Sequence, residues 1–296
     1  MIDRILVGYD GSEQAEDALA VAAGLAANLK AELRMGASLS EEQLLQPAET
    51  VDEALSHESE ALLSAARQHL SELGDYEIDG RALLSDSPAD GLLDLSETER
   101  ADLLVIGSTH RGGVGRVLPG SLALQIIGST GCPLVIAPRR VPHDGEAGTG
   151  PVVAAFDGGD LASRAVKFAA QLAAQADAPL HVVGVAVSQA QVEAALAGYG
   201  VQAGSAPDRA TLQEELEQLL EELPDNVAAN WTVVEGSPVD TLVNAAQGSR
   251  GIFVSGSHGR GPLMSLILGS VSDAVAQRIS WPAVLVPPQV KVDGID

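Results

Sequence analysis

The sequence predicts an α/β protein made of two tandem, five-stranded, doubly wound parallel sheets. Three observations carry that expectation. The chain repeats itself: Asp10 in RILVGYDGSE matches Asp157 in PVVAAFDGGD at an offset of 147, and Gly107 in VIGSTH matches Gly256 in VSGSHG at an offset of 149. A repeat of this size governs the reading of every motif inside it. Within each copy, apolar β-branched runs alternate with stretches of helical periodicity. The strand-like runs are too apolar for either face to meet water, as in a parallel sheet covered by helices on both sides.

In the first copy the pattern predicts a strand over 5–7, an alanine-rich helix over 13–29 and a weaker strand over 32–37. A long amphipathic helix over 48–73 and a strand over 76–84 follow. A helix over 88–99 has Pro88 in its first turn, where the missing N–H costs nothing, and an apolar strand covers 102–107. A last helix begins after Gly120-Ser121, and 134–137 closes the unit as a strand, matched by 281–288 in the second copy. The stretch after Arg140 has the Gly, Pro and charge content of a linker. The division is therefore 1–140 for the first domain, 141–150 for the linker and 151–296 for the second domain.

Composition narrows the function classes. A chain of 296 residues, 46% hydrophobic, holds two ordinary cores. No apolar run is long enough for a membrane span, and the start MIDRILVGYDGSE lacks a secretion signal, so a cytoplasmic location is expected. A net charge of −24, with Lys30, Lys167 and Lys291 the only lysines, repels nucleic acid; Arg139-Arg140 is too small a basic cluster to neutralise phosphates. The lone Cys132 rules out an intramolecular disulfide and reads as an inert core residue. His57 and His69 sit on a polar helix face, His143 in the linker and His181 in a strand, without metal-ligand spacing, so no metal site is expected. Phe156, Trp231, Phe253 and Trp281 are too scattered to stack bases and should be core.

In an open parallel sheet, ligands bind beyond the carboxyl ends of the strands where the winding reverses. Here those loops follow Val7 and Ile106 in one copy, and Ala154 and Val254 in the other. In the second copy, Gly256, Gly259 and Gly261 can bring backbone N–H groups close to an anion. Gly269 and Ser270 then stand at a helix start whose free N–H groups favour phosphate, with Arg260 available as a charge. Neither the P-loop nor the dinucleotide fingerprint is present. Ser12, Ser108 and Ser257 lack the setting of a catalytic serine and read as cap or phosphate residues. Asp10 and Asp157 also fit simple helix caps.

Four features together resemble the universal stress protein family. They are strand-Asp-Gly at the start of each copy, Ser-Pro-x-Asp at Ser87–Asp90 and Ser237–Asp240, the G-x2-G-x9-G-[S/T] loop, and the closing Pro-strand. The resemblance covers both halves and implies a tandem member with the Rossmann-like fold of the adenine-nucleotide α-hydrolase group. It also implies ATP as the ligand, in company with Mg2+. In the second copy it assigns the nucleotide to Asp157, to Val185 on the adenine wall, and to Gly256, Ser257, His258, Gly259, Arg260, Gly269 and Ser270. In the first copy the matching positions are Asp10, Gly107, Ser108, Thr109, His110, Arg111, Gly120 and Ser121. There His110 replaces the second glycine and Ser38 stands in place of Val185, so the second half is the principal expected site. The implied function is an ATP-binding stress-response regulator, non-enzymatic or weakly hydrolytic, with an unidentified protein partner. The alternatives are a scaffold that holds no nucleotide and an adenylate-using enzyme. The resemblance further implies that the closing strands of the two halves pair within the chain, and leaves dimerisation of the whole chain open.

Overall fold

Fully apolar strands can be accommodated only when both faces of their sheet are covered, and the computed structural model of the chain shows how this is done. It describes residues 1–44, 50–109, 120–139, 148, 150–188, 207–246, 251–257 and 270–290, and the structural statements below concern those residues. The first half runs β1 (Arg4–Gly8), α1 (Glu13–Leu29), β2 (Glu32–Leu39), a 3-10 turn (Glu41–Gln43), α2 (Val51–Leu73), β3 (Asp79–Leu84), α3 (Pro88–Thr98), β4 (Leu103–Gly107), α4 (Ser121–Ile127) and β5 (Leu134–Ala137). The second runs β6 (Val152–Phe156), α5 (Asp160–Ala176), β7 (Leu180–Ala186), α6 (Arg209–Glu221), β8 (Ala229–Glu235), α7 (Pro238–Ala245), β9 (Ile252–Gly256), α8 (Ser270–Ala276) and β10 (Ala283–Val286).

The ten strands form one sheet in the order β3-β2-β1-β4-β5-β10-β9-β6-β7-β8. Pairing within each half is parallel. The halves meet where β10 pairs antiparallel with β5, in the register Ala283↔Ile136, Val284↔Val135 and Leu285↔Leu134. The closing strands thus pair across the two halves, as the family resemblance implies. One core lies under α1, α2, α5 and α6, and a second lies on the other face under α3, α4, α7 and α8. Both contain residues from each half.

The repeat is visible in local chemistry. Gly11 and Gly158 both turn the chain at positive φ, +77° and +78°, a conformation costly for any residue with a Cβ. Ser87 and Ser237 are N-caps whose hydroxyls accept from the N–H groups of Asp90 and Asp240, at 3.5 and 3.4 Å. This explains the Ser-Pro-x-Asp motif: serine caps, proline occupies the first turn, and the aspartate supplies the capped N–H. On the second copy, Arg278 lies 2.6 Å from Asp240 and holds that carboxyl below its usual range, chiefly by its hydrogen bond.

Two element ends differ from the sequence reading. The strand predicted from 76 begins at Asp79; just before it, the Ile78 carbonyl accepts from the Arg67 side chain at 3.4 Å. The helix predicted from 48 begins at Val51, where Thr50 caps the Glu53 N–H at 3.2 Å, and residues 45–49 lie outside the described set. Of the linker, Gly148 is buried, and its carbonyl accepts from Asn28 at 3.4 Å; residues 140–147 and 149 are outside the described set. Phe156, Phe253 and Trp281 are core residues, and Trp231 packs partly buried against the first core. No helix among the described residues is long and apolar enough to cross a membrane.

A second tie between the halves is Gln175 of α5. Its Oε1 accepts from Ile2 N at 2.8 Å, and its Nε2 donates to the carbonyls of Ile2 and Leu29 at 2.7 and 2.8 Å. Truncation by Gln175→Ala removes all three bonds and should lower stability by about 1–3 kcal/mol, read as a shift of the urea midpoint at unchanged slope. Burial pushes the Cys132 thiol up to about 11. The folded state therefore favours the neutral thiol: the associated stability is intact below the ordinary value of 9.0 and is lost as pH rises towards 11. At pH 8, a disulfide thiol reagent should leave Cys132 unmodified in the folded protein and react at once after unfolding in urea.

Candidate functional site

The winding of the first half reverses between β1 and β4: the chain leaves β1 towards β2 and β3, then crosses back to β4 and β5. At the carboxyl ends of β1, β2 and β4 lies a cleft of about 740 Å³, within the roughly 300–1,000 Å³ common for small-molecule sites. Asp10, Gly107, Ser108, Thr109, Gly120 and Ser121 all line it. Six of the first-half positions singled out by sequence are therefore brought together. His110 and Arg111, predicted alongside them, lie outside the described residues.

Each wall has a local cause. Asp10 accepts from the Ser12 N–H at 3.0 Å and so braces the turn around Gly11, while Ser12 itself is the N-cap of α1, accepting from Ala15 N at 3.2 Å. Asp10 is thus a turn residue, and the capping role considered for it belongs to Ser12. Ser108 donates its hydroxyl to the Ala137 carbonyl at 2.8 Å, fixing the chain as it leaves β4. Gly107 is required by close approach: a Cβ there would stand 2.2 Å from the Gln14 main-chain oxygen. Gly120 caps α4 without a side-chain oxygen, so that helix starts without a side-chain acceptor for its first N–H groups.

The described lining is rich in hydroxyls and contains one formal charge, the Asp10 carboxylate. Tyr9 is buried against it, and its phenol is pushed up by burial first and then by Glu16 and Asp10, so it remains neutral. Ser38 lies on β2 at the position matching Val185; its hydroxyl donates to the Ser87 carbonyl at 3.4 Å. Among the described residues, no group of three or more His, Cys, Asp or Glu is placed to hold a metal ion.

In the second half, Asp157 follows β6, Val185 is near the end of β7, and Gly256 ends β9 with Ser257 next after it. Because β6 lies between β7 and β9, these four positions share one edge of the sheet. Asp157 accepts from Gly159 N at 2.9 Å, in the same turn as Asp10. Ser270 is the first residue of α8. His258, Gly259, Arg260, Gly261 and Gly269 lie outside the described residues.

The sequence reading passed over Tyr9, Gln14, Gln43 and Leu92, all of which line the first cleft. Gln14 is 8% exposed, and its Oε1 has no hydrogen-bond partner. The available signal was a difference between the copies, since the 147 offset puts Leu161 at this position in the second half.

The family model described as "Universal stress protein family" matches residues 1–138 and again 149–287. The chain belongs to the universal stress protein family. A universal stress protein of Mycobacterium tuberculosis is 29% identical over 203 residues, 69% of this chain and 67% of the relative. One from Thermus aquaticus is 30% identical over 143 residues, 46% of this chain but 98% of the relative, so the Thermus protein is about the size of one half. The crystal structure of a universal stress protein from Archaeoglobus fulgidus superposes with a TM-score of 0.65 at 20% identity, covering 97% of both chains, and shares the fold.

The glycines at the ends of β4 and β9 make unequal demands on this family fold. Gly107→Ala forces a Cβ to 2.2 Å from a backbone oxygen, whereas at Gly256 the nearest atom, the Leu161 main-chain oxygen, is at 3.1 Å. By urea denaturation, Gly107→Ala should cost about 3 kcal/mol and Gly256→Ala no more than about 1 kcal/mol. Equal costs would mean that the two strand ends are equally open.

Proposed function

We propose that this chain is a nucleotide-binding regulator that holds ATP beyond the carboxyl ends of its parallel strands, rather than an enzyme that turns it over. The observation that carries the reading is the first-half cleft: a hydroxyl-lined hollow at the reversal of winding, bounded by Gly107, Ser108 and Thr109 and by the start of α4 at Gly120. Family membership supports the regulatory role. The residues present suit the ligand. Gly107 lets α1 pack close over the end of β4, since a Cβ there would stand 2.2 Å from the Gln14 main-chain oxygen, and the covered Gln14 Oε1 lacks a donor.

In this reading the base lies against Ser38 and Leu92, Asp10 faces the nucleoside, and the phosphates meet the N–H groups at Gly120 and Ser121 together with Arg111. The second half holds the principal site, through Asp157, Val185, Gly256, Ser257 and the intact spacing from Gly259 to Gly269-Ser270. The domains are the 1–140 and 151–296 units joined by 141–150, and the working compartment is the cytoplasm. Nucleotide occupancy then alters the surface offered to a protein partner, or to a second copy of the chain.

An aspartate at a helix N-cap satisfies the same N–H groups that a phosphate would, so it preserves the helix and blocks the anion. In isothermal titration the parent chain should bind ATP. Gly269→Asp and Gly120→Asp should each weaken their own site by more than tenfold, and the double variant should bind none. A parent chain that binds no ATP, or a double variant that binds as well as the parent, overturns the reading.

A further inference from the structure

The two halves share a fold but not the chemistry of their cleft walls, and the sharpest difference is Gln14. It sits in the first turn of α1, directly over the end of β4, as the 2.2 Å approach of its carbonyl oxygen to a Cβ at Gly107 shows. Gln14 is among the residues that line the cleft and is 8% exposed, and its Oε1 is covered and meets no donor. A buried carbonyl without a partner is costly, and Gln14 bears that cost where the other half has a leucine. Leu161 occupies the equivalent first turn of α5, half-buried, with its main chain over Gly256.

We infer that Gln14 is a specificity-determining residue of the first cleft, and that its amide oxygen accepts a hydrogen bond from a sugar hydroxyl of the bound nucleotide. The inference rests on the nucleotide reading of the cleft. A carbonyl oxygen cannot pair with a phosphate oxygen, because neither carries a proton, so its partner is a donor on the nucleoside. Position selects the sugar. Ser38 on β2 marks the base wall, and β1 lies between β2 and β4, so Gln14 stands about two strand spacings, roughly 10 Å, across the cleft from it. Gly120 and Ser121 mark the phosphate end, leaving the sugar beside Gly107 and Gln14. The terminal amide torsion is soft, so the oxygen can turn to a bound hydroxyl without moving the backbone. The second half, with Leu161 here and Val185 in place of Ser38, has neither polar group and does not read the sugar this way.

The test uses the full chain carrying Gly269→Asp, so that the first cleft is read alone, titrated with ATP, 2′-deoxy-ATP and 3′-deoxy-ATP. One deoxy analogue should bind about tenfold more weakly than ATP. Gln14→Leu, which installs the residue that the other half already folds around, should weaken ATP about tenfold and erase that difference. Gln14→Glu, which keeps an acceptor, should retain it. ATP binding with no preference over either deoxy analogue, or a preference unchanged in Gln14→Leu, overturns the role of Gln14 while leaving the nucleotide reading intact. A Gln14→Leu chain that binds ATP as tightly as its parent shows that water alone partners the amide, and likewise overturns it. Absence of ATP binding to the first cleft removes the nucleotide reading of that cleft and the role of Gln14 with it, and is recognised because no substitution at Gln14 is needed to see it.

Discussion

The antiparallel ladder between β5 and β10 is the constraint from which the architecture follows. Both strands are apolar throughout and at most 1% exposed, so neither half could leave that edge open to water. Unpaired, it would present a row of backbone donors and acceptors flanked by Leu, Val and Ile, the pattern that recruits a foreign strand. Joining the edges within one chain removes this hazard without a second molecule, and at the concentration set by a short linker. It also fixes the direction of each half. Parallel strands on the two sides of an antiparallel junction point opposite ways, so their carboxyl ends lie on opposite edges of the sheet. The described cleft is accordingly lined by residues of the first half alone.

That geometry explains what could be read from sequence. The strands and their burial were legible because a parallel sheet covered twice leaves a simple signature, and β4 and β9 follow it with every residue but Gly107 fully buried. Asp10 and Gly107 were legible because they stand in the loops where the winding of a parallel sheet reverses, and Gly120 through the family's loop spacing. Gln14 was not: inside an alanine-rich helix it looks like a favourable helix former. Its place at the cleft depends on how α1 crosses β4, which no spacing within the helix reveals.

Comparing the copies separates what the fold needs from what a ligand would need. Gly11 and Gly158, Ser87 and Ser237, Pro88 and Pro238, and Gly107 and Gly256 are the same residue in both halves, and each shapes backbone. The cleft wall is where they part. Ser38 faces Gly91, which leaves its hydroxyl room that a Cβ at 2.2 Å would remove, whereas Val185 is buried and apolar. Ile106 lines the first cleft, and Ser255, at the matching position of β9, is buried with an unpartnered hydroxyl. Polar and apolar groups have changed places on a scaffold whose turns have not moved.

The overall charge of −24 sharpens the meaning of a cleft whose described wall offers hydroxyls and an amide, with the Asp10 carboxylate as its one formal charge. An anionic ligand approaching such a chain is repelled at long range, and that repulsion is screened beyond about 8–10 Å at ordinary ionic strength. Hydroxyls, backbone N–H groups and an amide act only at contact, where geometry counts for more than field. A site of this kind gains little from steering but can discriminate strongly, because a buried polar group left unpaired penalises every ligand that lacks its partner. In the proposed reading, affinity drawn from matched hydrogen bonds in an acidic molecule suits a component that responds to which nucleotide is present, more than one that must capture any nucleotide quickly.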